Sequence, residues 1–515
     1  MTVGLATRRN RLRDPQGLAV FDGTRELTHT ELDQRSNRIA NLLLDRYGLE
    51  HGAKVALMAP NRLEVVEVLA GIAKAGDVYL GLNFRMGETE LRSIFTTVGP
   101  RVIITAGEYR EISELLGAEF NISVIDLDDS GPNGYAAQLQ AASDTESPVL
   151  HRIDVEDDFY IVPTSGTTGL PKGVEFSHRA SLTHGALTII EYEISASTRY
   201  VIQIPHNSSV NITIVPCLMA GAAIGFLDSR GFVPEGFVHE VESRHVTHSF
   251  LVPTQLMRVL ADPPDPKRLA SLETLGYGSS PISPDRLGSL IELFGPKFIQ
   301  LYGMAEIASI GTLLRKGDHL DALGAHPELL ASAGSPSLLM DVRVVDDTVT
   351  DLGVRERGEV IFAGPYTMRA YYNDPQRTAE TLIDGWVHSG DIGEWDDRGY
   401  LYIVDRKKNL IIRGGLNIIP TEIENVIYRH DGVLEVAVIG VPDEEWGEAI
   451  LAVVAAKPGV QMDPNEILAL CANSELTSIK RPERVEFVES LPKNAVGKIE
   501  KRTLRDMYWT GSRKV

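Results

Sequence analysis

Tyr160-Ile161-Val162-Pro163-Thr164-Ser165-Gly166-Thr167-Thr168-Gly169-Leu170-Pro171-Lys172-Gly173 sets three glycines, four aliphatic hydroxyls and one lysine directly behind a short apolar run. A loop of this kind can wrap a polyphosphate. Its glycines permit positive φ and close backbone approach, its hydroxyls and N–H groups donate to phosphate oxygens, and its lysine adds a mobile positive charge. The same residue types also build surface turns. The spacing is not that of a P-loop, because Pro171 rather than glycine precedes Lys172.

Working outward, strand-length apolar runs at Lys54–Met58, Val102–Thr105 and Ser123–Leu127 alternate with helical patterns, which predicts βαβ units and mainly parallel sheet. Thr28 and Glu31 form a capping box ahead of an apolar helical face containing Leu32, Ile39, Leu42 and Leu43. Toward the C-terminus a polar turn at 395–399 leads into Tyr400–Val404, and Asp405-Arg406-Lys407-Lys408 then breaks the apolar pattern. The expected division is a large domain over 1–404 and a smaller α+β domain over 405–515. In the smaller domain Pro420–His430 reads as a helix, with Glu422 and Glu424 in its first turn and Arg429 and His430 in its last, and Val433–Val441 reads as a strand. The fold class is therefore α/β with a small α+β unit behind it.

The 515-residue chain carries 50 Lys and Arg against 71 Asp and Glu, a net charge of −21, which disfavours a nucleic acid or an anionic membrane as partner. A polyanionic ligand must therefore be captured by local donors. Two distant cysteines, Cys217 and Cys471, make neither a disulfide framework nor a four-ligand metal site, and they suit a reducing cytoplasm. Arg8, Arg9, Arg11 and Arg13 have no apolar run behind them, so no secretory signal is expected. The most apolar stretch, Val210–Leu227, contains Asn211, Pro216 and Gly221 and reads as buried core rather than a membrane span. Gly276-Tyr277-Gly278-Ser279-Ser280-Pro281 lacks the third glycine of a dinucleotide fingerprint, and no strand-to-helix context is expected around it.

The segment Thr164–Gly173 resembles the phosphate loop of the adenylate-forming superfamily, which includes acyl-CoA synthetases, luciferases and peptide-synthetase adenylation domains. Further matches follow in the family's order: Tyr302-Gly303-Met304-Ala305-Glu306, Gly385–Asp391, Asp405–Lys408, Arg413–Asn417 and Asn494–Lys498. The pattern is most similar to AMP-dependent acid:CoA ligases. The resemblance implies activation of a small-molecule carboxylic acid with ATP and Mg2+ to an acyl adenylate, followed by transfer to coenzyme A with release of AMP and pyrophosphate. Transfer to a carrier-protein thiol or to another nucleophile, and a catalytically weak nucleotide-binding protein, remain as alternatives.

By this resemblance Thr164, Ser165, Gly166, Thr167, Thr168, Gly169 and Lys172 hold the departing phosphates, and Glu306 binds magnesium. Tyr302 with Gly303 stacks on adenine against Gly278, Ser279 and Ser280. Asp391 and Arg406 meet the ribose, and Lys498 bridges the substrate carboxylate and the α-phosphate. Asp405 is the implied hinge, and Gly414 and Gly415 the implied lining of a CoA tunnel. Ser209, Val210, Ile212, Tyr277 and Gly278 are candidate walls of the acyl pocket, which is expected to favour an apolar aliphatic, alicyclic or aromatic acid. Several positions depart from the family pattern, among them Asn409 and Leu416 in place of acidic residues and Ala495 and Val496 ahead of Lys498. Ala305 stands where threonine is usual, and Pro205 is followed by His206-Asn207-Ser208-Ser209 instead of an aromatic and a histidine.

Overall fold

The computed structural model describes residues 1–164, 171–493 and 499–509. They group into two compact units, Met1–Val342 with Phe362–Val387, and Arg343–Ile361 with His388–Val515. The expected junction at Asp405 falls instead inside a strand, Leu401–Arg406, which is antiparallel to Trp386–Trp395. That pairing draws residues 388–404 into the smaller unit.

The first unit holds two sheets. In the seven-stranded one, Asp158–Thr164, Val78–Gly81, Lys54–Met58, Val102–Thr105 and Ser123–Asp126 run parallel in that spatial order. Lys172–Ser177 and then Ala370–Tyr371 add antiparallel strands at one edge. In the nine-stranded sheet six strands run parallel, in the spatial order Phe298–Tyr302, Thr274–Gly278, His248–Leu251, Arg199–Ile202, Ala223–Phe226 and Leu18–Asp22. Helices cover parallel strands on both faces, so their sequences read as continuous apolar runs. Val55, Ala56 and Leu57 are accordingly inaccessible to solvent. Parallel sheet is thus predominant, as the alternation of runs predicts.

Local signals hold where side chains act on their own backbone. Thr28 accepts from the Glu31 amide at 3.2 Å and its own amide donates to Glu31 at 2.8 Å, which closes the capping box of the helix His29–Asn41. Two expectations are corrected. A strand, Thr274–Gly278, does precede a helix, Pro284–Phe294, around the glycine-containing segment at 276–281. The helix expected over 420–430 ends at Ile427. Beyond it Arg429 pairs with Glu475 and the His430 ring accepts the Gly432 amide at 3.1 Å, so neither side chain serves the helix terminus.

The second unit is built on a long hairpin, Val433–Asp443 with Gly447–Ala456, to which Arg484–Val488 adds a parallel strand. Strand side chains alternate between faces. Val436, Val438, Ile450, Ala452 and Val454 pack on one side with Ile423 and Ile467 of two helices, while Ala437, Ile439, Leu451 and Val453 pack on the other with Leu491 and Leu504. Among the described residues no helix is long and apolar enough to cross a membrane.

The first unit also buries charge. The Lys74 ammonium is fully enclosed, bonded to Asp33 Oδ1 at 2.6 Å and to Asn37 Oδ1 at 2.7 Å, and burial pushes its pKa down to about 8. Removing one member of such a pair leaves an uncompensated charge. Asp33→Asn is therefore expected to cost about 3–5 kcal/mol of stability in denaturant melts, and the double variant with Lys74→Met less than that. Asp77, just past the C-terminal end of the helix Glu64–Ala75, has a carboxyl that burial raises from 3.8 to about 7, with the Ala53 backbone and Lys54 opposing. The folded state holds this proton to higher pH than the unfolded chain, so its contribution to stability is lost as pH rises from about 4 through 7. Asp77→Asn should remove that component, leaving a smaller fall in melting temperature between pH 5 and pH 8 than in the wild type.

Candidate active site

The strand Asp158–Thr164 returns as Lys172–Ser177 with Thr164 opposite Lys172, so both residues stand at the base of the connecting segment. Ser165, Gly166, Thr167, Thr168 and Gly169 lie outside the described residues. Thr164 Oγ1 is buried and, among the described residues, has no hydrogen-bond partner, at the place expected to receive phosphate.

In the other sheet, Thr274–Gly278 and Phe298–Tyr302 are parallel neighbours with Gly278 beside Leu301. Gly278, Ser279 and Ser280 therefore leave the sheet next to Tyr302, at the carboxyl ends of the strands. Gly278 has no room for a side chain, since a Cβ there would lie 2.6 Å from the Leu301 carbonyl oxygen. The chain then turns sharply: the Gly311 amide returns to the Tyr302 carbonyl at 2.9 Å, and Ala308 and Ser309 both take left-handed φ. Backbone in this sparsely populated region collects at functional sites.

Glu306 sits in the one-turn 3-10 segment of that loop and is buried. Its Oε1 lies 3.2 Å from Lys172 Nζ, across 134 residues of sequence, and also accepts the Tyr371 hydroxyl. Lys172 Nζ in turn donates to the Tyr371 hydroxyl at 2.6 Å and stands 4.0 Å from the centre of its ring. Both contacts to Glu306 fall on Oε1. Mg2+ is commonly held by one or two carboxylates together with phosphate oxygens and water. A single buried carboxylate with its second oxygen uncommitted to these partners fits that need, and among the described residues no group of three or more acidic, histidine or cysteine side chains competes for a metal. Tyr371 was not reached from the sequence, because nothing around Ala370-Tyr371-Tyr372 marks it apart from other strand residues.

The segment after Pro205 is a 3-10 turn, His206–Ser208, running into a π-helix, Val210–Ile214. Such windings interrupt regular helices at functional sites more often than elsewhere. His206 is enclosed, its Nδ1 is 2.9 Å from the Tyr79 hydroxyl, and burial lowers its pKa to about 4, so the ring is neutral. Ser209, Val210 and Ile212 are buried in this segment. Tyr277 points into packed core: its hydroxyl is 3.0 Å from His319 Nε2 and its ring stands edge-on to Phe298. His184, not singled out from the sequence, contacts the Asn211 carbonyl at 3.1 Å through Nδ1, packs edge-on against Tyr366, and is held neutral by burial.

In the second unit Asp391 and Arg406 are direct cross-strand partners, 3.0 Å apart from Oδ1 to Nε, with Asp391 largely buried and Arg406 exposed. Asp405, next along the strand, is a buried connector. Its carboxylate accepts the Thr421 amide at 3.1 Å and the Thr421 hydroxyl at 2.8 Å, which ties the strand to the first turn of the helix Pro420–Ile427, and it also accepts Asn409 at 3.2 Å. Gly414 and Gly415 have φ of 55° and 80° and join Ile411–Arg413 to Leu416–Ile418 as a two-residue hairpin turn. A Cβ on Gly414 would meet the Trp446 ring at 2.9 Å, whereas one on Gly415 would meet nothing within 4 Å. Lys498 lies outside the described residues.

A model of the AMP-binding enzyme family matches residues 7–372, and one of the AMP-binding enzyme C-terminal domain matches residues 422–498. A feruloyl-CoA synthase from an Amycolatopsis species is 36% identical over 503 residues, covering 96% of each chain. A fatty acid–[acyl-carrier-protein] ligase, ScoC, from Streptomyces coeruleorubidus is 33% identical over 517 residues, covering 97% of this chain and 95% of its own. Among solved structures, ATP-bound MatB from Rhodopseudomonas palustris superposes with a TM-score of 0.88 at 28% identity and 99% coverage of both chains. With Thr164, Lys172, Tyr302 and Glu306 on one α/β unit and these likenesses running nearly end to end, the chain belongs to the AMP-binding family of adenylate-forming enzymes.

Proposed function

We propose that this protein is an AMP-forming acid:CoA ligase that converts a carboxylic acid and ATP to an acyl adenylate and pyrophosphate, then transfers the acyl group to the thiol of coenzyme A. The meeting of Lys172 and Glu306 at 3.2 Å, next to Thr164 at the base of the glycine-rich segment, supports this reading, since a triphosphate with Mg2+ needs both a cation and a carboxylate. Support for ATP comes from the ATP-bound structural relative, and support for CoA from the synthase relative. The carrier-protein ligase relative supports a carrier thiol as the second reading of the acceptor.

In the first half-reaction the acid's carboxylate oxygen forms a bond to the α-phosphorus as the bond to the pyrophosphate oxygen breaks. Bound Mg2+ would supply charge neutralisation on the phosphates, held by Glu306. Thr164 and Lys172 bind the leaving phosphates, Tyr302 with Gly278–Ser280 orients the adenine, and Lys498 offsets negative charge between carboxylate and α-phosphate. Asp391 presents acceptor oxygens suited to a ribose diol, with Arg406 beside it. In the second half-reaction the thiol attacks the acyl carbon and AMP leaves, and the Gly414-Gly415 turn gives a pantetheine arm an approach that side chains would obstruct. Motion about Asp405 would exchange the two arrangements. The buried segment Ser209, Val210 and Ile212 suits an apolar aliphatic, alicyclic or aromatic acid.

Pyrophosphate release across a panel of acids, with thioester detected by mass spectrometry in the presence of CoA or a carrier protein, tests the whole reading. No pyrophosphate with any acid would count for a nucleotide-binding protein, and adenylate without CoA thioester for another acceptor. Glu306→Gln should lower adenylation most strongly at limiting Mg2+, since an amide binds the cation more weakly than a carboxylate; unchanged rates there would remove Glu306 from metal binding. Lys498→Ala should depress adenylate formation by ~10²–10³-fold while still converting supplied acyl adenylate to thioester. Gly415→Leu should do the reverse, and equal loss of both steps in both folded variants would refute the division of labour.

A further inference from the structure

Tyr371 lies outside the motifs quoted above, yet it touches both Lys172 and Glu306. Its backbone is fixed on each side. Tyr371 is paired with Val174 across the antiparallel strands, the Tyr372 amide donates to the Gly173 carbonyl at 2.8 Å, and the Tyr371 amide donates to Thr378 Oγ1 at 3.0 Å. The ring is 2% exposed, and its hydroxyl donates to Glu306 Oε1 while accepting Lys172 Nζ at 2.6 Å. A phenol carries one donor and an acceptor oxygen, so it can serve a carboxylate and an ammonium at once without adding charge. Burial, reinforced by the Glu306 charge, raises the phenol pKa and keeps it a donor.

We propose that Tyr371 is a positioning residue, whose hydroxyl keeps Glu306 aimed and partnered when Lys172 is drawn away to a nucleotide's phosphates. This rests on the reading that Mg2+ and ATP bind at this site. Lys172 cannot neutralise Glu306 and grip a phosphate oxygen equally well. A carboxylate buried as Glu306 is would then depend on the incoming cation alone unless another donor also holds it. Tyr371 supplies that donor to Oε1, leaves Oε2 to the cation, and gives the lysine a neutral resting partner between binding events.

The test is Tyr371→Phe in the full chain, read by melting temperature with ATP plus chelator, with ATP plus a Mg2+ titration, and by Mg2+-dependent pyrophosphate exchange. The Mg2+ concentration for half-maximal response is expected to rise about tenfold in both titrations, the scale of one hydrogen bond to a charged group. The turnover rate at saturating Mg2+ should fall by less, and the shift given by ATP with chelator should persist. An unmoved Mg2+ midpoint overturns the proposal, as does equal loss of the metal-free and metal-dependent shifts. Should the phenylalanine variant fail to fold, 3,5-difluorotyrosine at position 371 keeps the ring and hydroxyl while altering donor strength, and an unmoved midpoint there overturns it too. A wild-type protein that melts later with Mg2+ and ATP but exchanges no pyrophosphate would end the ligase reading and leave the melting test of Tyr371 intact, whereas no response to Mg2+ and ATP would overturn both.

Discussion

Parallel strands cannot be joined by tight turns, so every crossover must travel back along a face of the sheet, and all the segments that leave the strands' carboxyl ends gather along one edge. This constraint arranges the first unit. Gly278 and Tyr302 are neighbours only because Thr274–Gly278 and Phe298–Tyr302 are parallel and adjacent, and Thr164 ends a parallel strand of the other sheet. The two edges are joined by the contact from Lys172 to Glu306. Lys172, Tyr302 and Tyr371 accordingly stand at strand ends, with Glu306 in the loop beyond Tyr302.

Electrostatics at that junction follow from burial. A carboxylate as enclosed as Glu306 needs a counter-charge or a metal, and the chain's overall net charge of −21 offers no help to an incoming polyphosphate. Lys172 supplies a counter-charge at 3.2 Å, and the Tyr371 hydroxyl bonds to both groups. Thr164 Oγ1, at the end of its strand, is likewise buried and has no partner among the described residues.

In the second unit, polar contacts and glycines define distinct roles along a short stretch of chain. Asp391 and Arg406 face each other across two strands, while Asp405 one residue earlier turns the opposite way and binds Thr421. The period-two alternation of a strand puts successive side chains on opposite faces, so Arg406 and Asp405 meet different partners. Gly414 is required both by its left-handed φ and by the Trp446 ring behind it, whereas Gly415 is required by φ alone.

Local interactions were legible in the sequence because their partners are close along the chain. The Thr28 and Glu31 capping box, the strands at 54–58 and 102–105, and the ordered motifs that mark the family all belong to this class. The end of the helix at Ile427 was not legible, because Arg429 is claimed by Glu475, 46 residues away. The junction expected at Asp405 likewise gave way to cross-strand pairing. Tyr371 is the clearest case: it reaches Glu306 across 65 residues and Lys172 across 199, and no periodicity or spacing records such a meeting. Local elements such as the capped helix after Thr28 and the strands at 54–58 and 102–105 could be read from the chain alone, since they depend on a residue's own backbone and its near neighbours. Only the tertiary structure decided which buried charge would find which partner, because that depends on the order in which parallel strands stack and on the desolvation that stacking imposes.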